Sequence, residues 1–587
     1  MPTRVLVNLK PLASFSPAFW ARVALALAAN VPTILLFGFR KPPIPEAALL
    51  GIQLAFLAAF VLLTVFRAAR APTREARWRA VDDEGRIEFA ACLVGVLAVA
   101  VPGFTAIAAG VFLASRLVRV LLLLIERGVS PALVLLFSFG AVILAGAGML
   151  KLPAATPIDQ PIRFLDALFT STSATCVTGL IVLDTPTAFT RFGQTVLMVL
   201  MQLGGLGILS FAALLLVAVG SSLGLRATSV LGDSSLESRH GPKGIRKMLA
   251  SIVLFTFSFE AIGAIALFLG WPKTWEYAPD IATAGDRAFH AAFFSVSAFN
   301  NAGFATTPNS LETLRTSWTT YIVIAGLVVI GGIGFPALDN IRQVLFARLR
   351  GKRTKQGKLI RIALHTKLTL TTTLIVYLIG LVLIFISEYF QRLDPIGISL
   401  IDAHFMAIAS RTAGFNTIPA SEMGPLSRFV LVVQMFIGGG PASTAGGIKT
   451  VATAVLVLTV IATLKGRSQT EAFKRTIPDA LVRKAAVLIT LGLATVAVLI
   501  GTLSLTESRG DSHLPLEEIV FESVSASATV GLSMGTTAGL SDPGRVAVII
   551  AMFIGRLGPL AVLGALTSVR RTDRAQYAYP DEGVLMS

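Results

Sequence analysis

The chain has 587 residues, of which 54% are hydrophobic and only 14% charged, against roughly 25% charged in a soluble domain. That balance excludes an ordinary soluble protein. The net charge of +17, from 50 Lys and Arg against 33 Asp and Glu, would suggest nucleic acid in a soluble protein; in a membrane chain it first reports which loops are cytoplasmic.

Cys92 and Cys176 both stand in apolar surroundings, so a disulfide framework and Cys-ligated metal sites are excluded. The five histidines are scattered without metal-ligand spacing. Apolar stretches able to cross a bilayer, which takes ~20 residues, fall near 16–38, 47–66, 88–125, 131–150, 194–219, 248–271, 318–341, 367–388, 427–463, 481–505 and 545–569. The first reads as a retained helix and not a cleaved signal, since Asn30 and Pro32 interrupt it and many spans follow.

The polar segments between spans are of two kinds. Segment 67–86 carries Arg67, Arg70, Arg74, Arg77, Arg79 and Arg86, and 342–367 carries nine Lys or Arg with no acid; loops 226–247 and 465–484 and the tail at Arg570, Arg571 and Arg574 belong with them. Segment 507–518 instead sets Glu507, Asp511, Glu517 and Glu518 against Arg509. The positive-inside rule places the first kind in the cytoplasm and the second outside, with both termini cytoplasmic. Stretch 88–125 is flanked by basic residues at both ends, so it is expected to be a hairpin turning at Pro102-Gly103. That makes four N-terminal helices in 1–128. Arg116 and Arg119 admit a voltage-sensor reading, but arginines near a helix end more often snorkel to the interface.

From residue 129 onward the chain repeats four times, over 129–220, 245–348, 362–464 and 478–572, with a cytoplasmic tail at 573–587. Each unit has a span, a loop with an apolar segment of about ten to thirteen residues, too short to cross a bilayer, a small-residue run ending in Gly, and a second span. The runs end at Gly179, Gly303, Gly414 and Gly531, and Phe169, Phe293, Phe405 and Phe521 stand nine or ten residues before them. Short runs of small residues also let helices pack closely; four in register after half-helices point instead to re-entrant segments around one pathway, because non-helical backbone at membrane depth must line a cavity or be buried. The expected fold is all-α and polytopic: four pseudo-symmetric helix–pore helix–helix units around a central pore, after about four extra transmembrane helices. Carbonyls turned toward the axis replace a cation's hydration shell, and pore-helix C-termini aim their negative dipole ends there.

The runs Thr175-Cys176-Val177-Thr178-Gly179, Asn300-Asn301-Ala302-Gly303, Arg411-Thr412-Ala413-Gly414 and Ala528-Thr529-Val530-Gly531 resemble the four filter segments of the Trk/Ktr/HKT superfamily of potassium transporters, and most of all those of the bacterial Ktr-type membrane subunit. The resemblance covers about 129–572. It implies K+ bound at the filter, no covalently bound cofactor, a homodimer in membrane lipid, and a cytosolic nucleotide-binding regulatory ring of the RCK type. It also implies potassium selectivity, since glycine stands at all four filter positions, whereas the sodium-selective branch has serine at the first. The N-terminal 125 or so residues depart from the family core.

Below each filter run the second span carries a glycine-rich break: Gly204 to Gly207, Gly331 to Gly334, Gly555 to Gly558, and the run Gly438-Gly439-Gly440-Pro441-Ala442-Ser443-Thr444-Ala445-Gly446-Gly447. The last has five glycines and a proline in ten residues and cannot continue a helix. Arg556 stands at that depth in mid-span, where an ionisable residue marks a functional site. Its expected partners are carbonyls and hydroxyls of the 438–447 loop, including Ser443 and Thr444; a buried acid such as Glu260 is the plainer alternative. A loop held by Arg556 under the filter is a gate, and the resemblance implies the same. Lys449 either supplements that barrier or faces water. Glu260 serves ion coupling or pairs with a filter-side residue such as Arg411 or His404. No nucleophile–base pair suggests an enzyme. Two other classes stay open: the potassium-binding subunit of an ATP-driven pump, which would need a partner to supply the energy, and a cation-coupled secondary carrier, which should show several intramembrane carboxylates and an inverted repeat. Uptake is expected to be sodium-dependent or channel-like.

Overall fold

The computed structural model describes residues 17–70, 73, 86–97, 102–126, 129–158, 160–207, 241–271, 283–314, 317–351, 361–391, 400–508 and 514–558. The tail arginines and most of the basic loop 226–247 lie outside them. The N-terminal helices are α1 (Pro17–Gly38), α2 (Glu46–Arg70), α3 (Arg86–Leu97) and α4 (Pro102–Glu126). They close on a core of Ala26, Ala29, Leu57, Phe60, Cys92, Ala108 and Phe112, in which the alanines let backbones approach. Asn30 donates to the Ala109 carbonyl at 2.8 Å, and Gln53 bridges Thr33 and Thr105.

α3 and α4 pack side by side through Cys92, Ala108 and Phe112, as a hairpin requires, with α3 the short first arm at 12 residues, a rise of ~18 Å. Two details change: Pro102 opens α4 instead of standing in the turn, since proline is pre-shaped for a helix's first position, and the fate of Arg116 differs. Arg116 does not snorkel. It is fully buried, with its guanidinium 5.4 and 5.5 Å from the Phe60 and Phe112 ring centres, a cation held on aromatic faces.

The four units follow. Unit one is α5 (Pro131–Leu150), pore helix α6 (Phe164–Thr175) and α7 (Arg191–Leu206); unit two is α8 (Gly241–Gly270), pore helix α9 (Ala284–Phe299), α10 (Trp318–Ile333) and α11 (Phe335–Leu349). Unit three is α12 (Leu364–Gln391), pore helix α13 (Leu400–Ala409), α14 (Pro425–Phe436) and α15 (Thr450–Leu464); unit four is α16 (Asp479–Thr506), pore helix α17 (Leu516–Ala528) and α18 (Asp542–Leu557). Pore helix α9 has 16 residues, more than the expected thirteen, because Thr283 caps it a turn early by accepting from Asp286 N–H at 3.1 Å. Among the described residues, seven helices are long and apolar enough to cross a membrane, or eight when α10 and α11, bent by 98° at one residue, count as one span.

Apolar packing closes the units into a ring. One core joins units one and two around Phe293, the next joins two and three around Phe405, the third joins three and four around Phe521, and the last joins four and one around Phe169. The phenylalanines that recur in the sequence are thus the buried pegs between neighbours. Polar ties at the outer ends follow the same order. The second helix of each unit reaches the acidic first turn of the next pore helix: Arg191 to Asp286 at 2.5 Å, Tyr321 to Asp402 at 3.2 Å, Arg428 to Glu517 at 3.1 Å, and Arg545 to Asp166 at 2.6 Å. An acid in a helix's first turn also suits the positive dipole end.

Candidate ion pathway

The four glycine runs meet. A Cβ built on Gly179 would lie 2.6 Å from the Ala302 carbonyl oxygen and 3.2 Å from Gly303 Cα; on Gly303 it would lie 2.8 Å from the Ala413 oxygen and 3.1 Å from Gly414 Cα. On Gly414 it would strike the Val530 oxygen beside Gly531, and on Gly531 the Thr178 oxygen beside Gly179. The contacts run one, two, three, four and back to one, with units one and three, and two and four, facing each other across the centre. Each neighbour contributes the carbonyl of the residue before its glycine.

Local backbone explains why these runs can present carbonyls. All four glycines have positive φ, from 71 to 97°, and so has the residue two before each: Val177, Asn301, Thr412 and Thr529. Alternating handedness sends successive N–H groups to one side of the chain. That side is the pore helix: Thr178 N–H bonds Ser173 O at 2.8 Å, Ala302 N–H bonds Ser297 O at 2.8 Å, and Val530 N–H bonds Ser525 O at 2.9 Å. The hydroxyls of Ser173 and Ser525 accept from Gly179 and Gly531 N–H, both at 3.1 Å. With the donors satisfied behind, the carbonyls remain for the centre. Buried side-chain oxygens of Thr175, Thr178, Asn301 and Thr529 add acceptors without hydrogen-bond partners, whereas Cys176 is a buried free thiol.

Above the ring, a cavity of about 370 Å³ is lined by all four glycines together with Asp184 and Glu312. Burial raises both carboxyls above the ordinary carboxylate range; Asn416 opposes this at Glu312, where nearby Glu422 adds to it.

Below the ring lies the loop between α14 and α15. It docks on the end of α10: Thr444 N–H bonds Gly331 O at 3.3 Å and Gly440 N–H bonds Gly332 O at 2.8 Å, using carbonyls that a helix terminus leaves free. The Thr444 hydroxyl accepts from Asn301 of unit two at 2.8 Å and donates to Phe299 O at 3.0 Å. Its carbonyl accepts from Arg556 of unit four, whose other arm donates to Gly204 O of unit one at 2.6 Å. Units two and four are opposite, so a residue held by both lies across the centre, under the ring.

Several sequence expectations need correction. Ser443 does not meet Arg556; its hydroxyl donates to Gly440 O at 2.6 Å within the loop, while Gly204, which was not expected, supplies the second carbonyl. Arg411 has its backbone in the third run, but its side chain turns behind it, to Gly438 O at 3.1 Å and the Thr373 carbonyl and hydroxyl at 3.5 Å. Glu260 pairs with none of Arg411, His404 or Arg556. Its carboxylate accepts from Asn300 at 3.0 Å, and His404 bonds Tyr377 instead. Lys449 is partly buried, and its ammonium holds Ala445 O at 2.6 Å.

Three kinds of comparison agree with this architecture. The sequence profile of the TrkH family, described as a cation transport protein, matches residues 140–569. The chain is 37% identical to Ktr system potassium uptake protein B of Bacillus subtilis over 77% of its own length and 96% of the relative's, and 32% identical to potassium/sodium uptake protein NtpJ of Enterococcus hirae over 79% and 98%. The crystal structure of the potassium transporter TrkH from Vibrio parahaemolyticus superposes with a TM-score of 0.57 at 16% identity, over 89% of this chain and 99% of that one. The chain is therefore a multi-pass membrane protein that belongs to the TrkH family of cation transport proteins.

Proposed function

We propose that this protein takes up potassium ions across the plasma membrane, through a filter built from the four glycine runs and a gate built from residues 438–447 with Arg556 and Lys449. The observation that carries the reading is the closed ring, in which each glycine packs on the next unit's carbonyl and no side chain intervenes. A ring of carbonyls replaces a cation's hydration shell, four pore-helix C-termini add negative potential, and Asp184 and Glu312 gather cations at the mouth. The loop beneath presents cationic side chains and backbone across the path, which opposes cation passage until it moves. Uptake in transport-deficient cells tests this: potassium-dependent growth and rubidium influx are expected, and influx without preference for potassium over sodium would refute it.

The relatives named for a Ktr system support a membrane subunit that works with a partner. In our reading this is a homodimer on a cytosolic nucleotide-binding ring of the RCK type, with the nucleotide bound only by that partner and the basic loops and both termini on the cytoplasmic side. The relative named for potassium/sodium uptake makes external sodium the variable to test, because sodium-coupled uptake stops without it and channel-like conduction does not.

A further inference from the structure

Between units two and three lies a cavity of about 460 Å³ that shares no lining residue with the vestibule and reaches the backs of the second and third runs at Asn301 and Thr412. Val328, Leu370 and Ile408 form its walls, Gly439 of the loop closes one end, and Arg411 supplies its cation. Leu374, which lines it, is 55% exposed on α12, next to the exposed Ile375, Leu378 and Ile379, so its mouth faces the lipid side. Arg411 offers five N–H donors. It spends them on neutral acceptors, two of them at 3.5 Å, its Nε has no partner, and among the described residues no carboxylate pairs with it. Its contact Thr373 lies six residues past the start of the apolar stretch at 367, or ~9 Å, deeper than the headgroup of a two-chain phospholipid is held. A volume of this size suits one elongated molecule.

We infer that the cavity is a lateral binding site for a long-chain fatty acid dissolved in the bilayer, whose carboxylate takes Arg411 from the Gly438 carbonyl and so loosens the start of the loop. The apolar tail fits the walls, and the bidentate geometry of carboxylate on guanidinium makes the anion a better partner than the Gly438 and Thr373 acceptors it displaces. The effect on flux rests on the gate reading; the binding does not.

The test uses the full chain in nanodiscs with palmitic acid carrying a tail diazirine, and the methyl ester of the same probe. Photolabelling is expected in the peptides spanning 328–333 and 370–377, to favour the acid over the ester about tenfold, the equivalent of one charge-assisted hydrogen bond, and to be lost in Leu374→Trp. Arg411→Lys should retain more label than Arg411→Gln. Equal labelling by acid and ester, labelling spread over all lipid-facing helices, or equal labelling by a photoreactive phospholipid would each overturn the site. In proteoliposomes the acid, and not the ester, should raise rubidium flux. Labelling without that rise, when deletion of 440–445 does raise flux, refutes the regulation; a deletion that leaves flux unchanged refutes the gate reading and not the site.

Discussion

Gly179→Ser tests the filter at a point where the structure separates two effects. The residue sits at φ +91°, a conformation that costs a non-glycine residue about 1–3 kcal/mol. Its new Cβ would also lie 2.6 Å from the Ala302 oxygen, a contact that forces one of the four ring carbonyls outward. If the displaced carbonyl forfeits even ~1.4 kcal/mol of the potassium-over-sodium difference, the preference falls tenfold. Gly207→Ala is the matched control. It too has positive φ, +71°, but its Cβ would meet nothing within 4 Å among the described residues, so it carries the backbone strain without touching a ring carbonyl. Rubidium and sodium influx measured side by side in transport-deficient cells should show preference lost in the first variant and kept in the second. Equal loss in both would mean that selectivity tracks global stability, and the filter assignment would fail.

Other expectations follow from the same geometry. Arg556→Ala, or removal of 440–445, should raise basal influx several-fold, and Arg556→Lys should raise it less because one ammonium cannot reach both Thr444 O and Gly204 O; lower influx at equal expression would contradict the gate. Thr444→Val keeps the shape but removes the bonds to Asn301 and Phe299, so both influx and selectivity should change although Thr444 lies outside the filter runs, and a change in influx alone would show loop and filter to be independent. Glu260→Ala removes one of three acceptors of the Asn300 amide, which keeps Gln202 at 3.1 Å and Val296 O at 2.9 Å, so the loss should be that of one hydrogen bond, about 0.5–1.5 kcal/mol, visible as slightly lower thermal stability; Glu260→Gln, which keeps an acceptor, should be milder, and the reverse order would point to ion coupling. Glu312 takes up its proton at a higher pH than a free carboxyl because burial disfavours its charge. Lowering external pH should therefore discharge the vestibule early and weaken uptake, and Glu312→Gln should flatten that pH profile.

The parts of this architecture legible in the sequence are those where backbone chemistry restricts the residue type. Positive φ calls for glycine, so the ring announces itself four times, and a core position wants the same bulky aromatic in every unit, so the phenylalanines recur. The outer ties were not legible, because the same place is filled by Arg–Asp, Tyr–Asp or Arg–Glu from elements scores of residues apart. Direction was also hidden. Arg411 is in the third run by sequence, yet its side chain leaves it, since a guanidinium finds better acceptors at Gly438 and Thr373 than beside a path for cations. Glu260 was conspicuous as a buried acid, but its partner is a neutral amide, and charge-matching alone leads to the wrong residue.

Cations placed below a cation path look self-defeating until their partners are traced. Arg411 holds the first residue of the loop, Arg556 its seventh, and Lys449 the carbonyls of Ala445 and Gly446. Each contact is a cation on a backbone oxygen, and the one at Thr444 lies under the ring, where a passing cation would otherwise use it. In the proposed gate the closed loop therefore withdraws an acceptor from the pathway and sets positive charge in its place. Opening must reverse both together, since an oxygen released by Arg556 at Thr444 becomes free for the ion just as the guanidinium moves off. The same Thr444 bonds Asn301, beside the second glycine of the ring. A rise in flux that leaves the filter undisturbed would require Thr444 to part from Arg556 while staying on Asn301, which confines small openings to the Arg556 side and lets only larger ones reach the second filter segment.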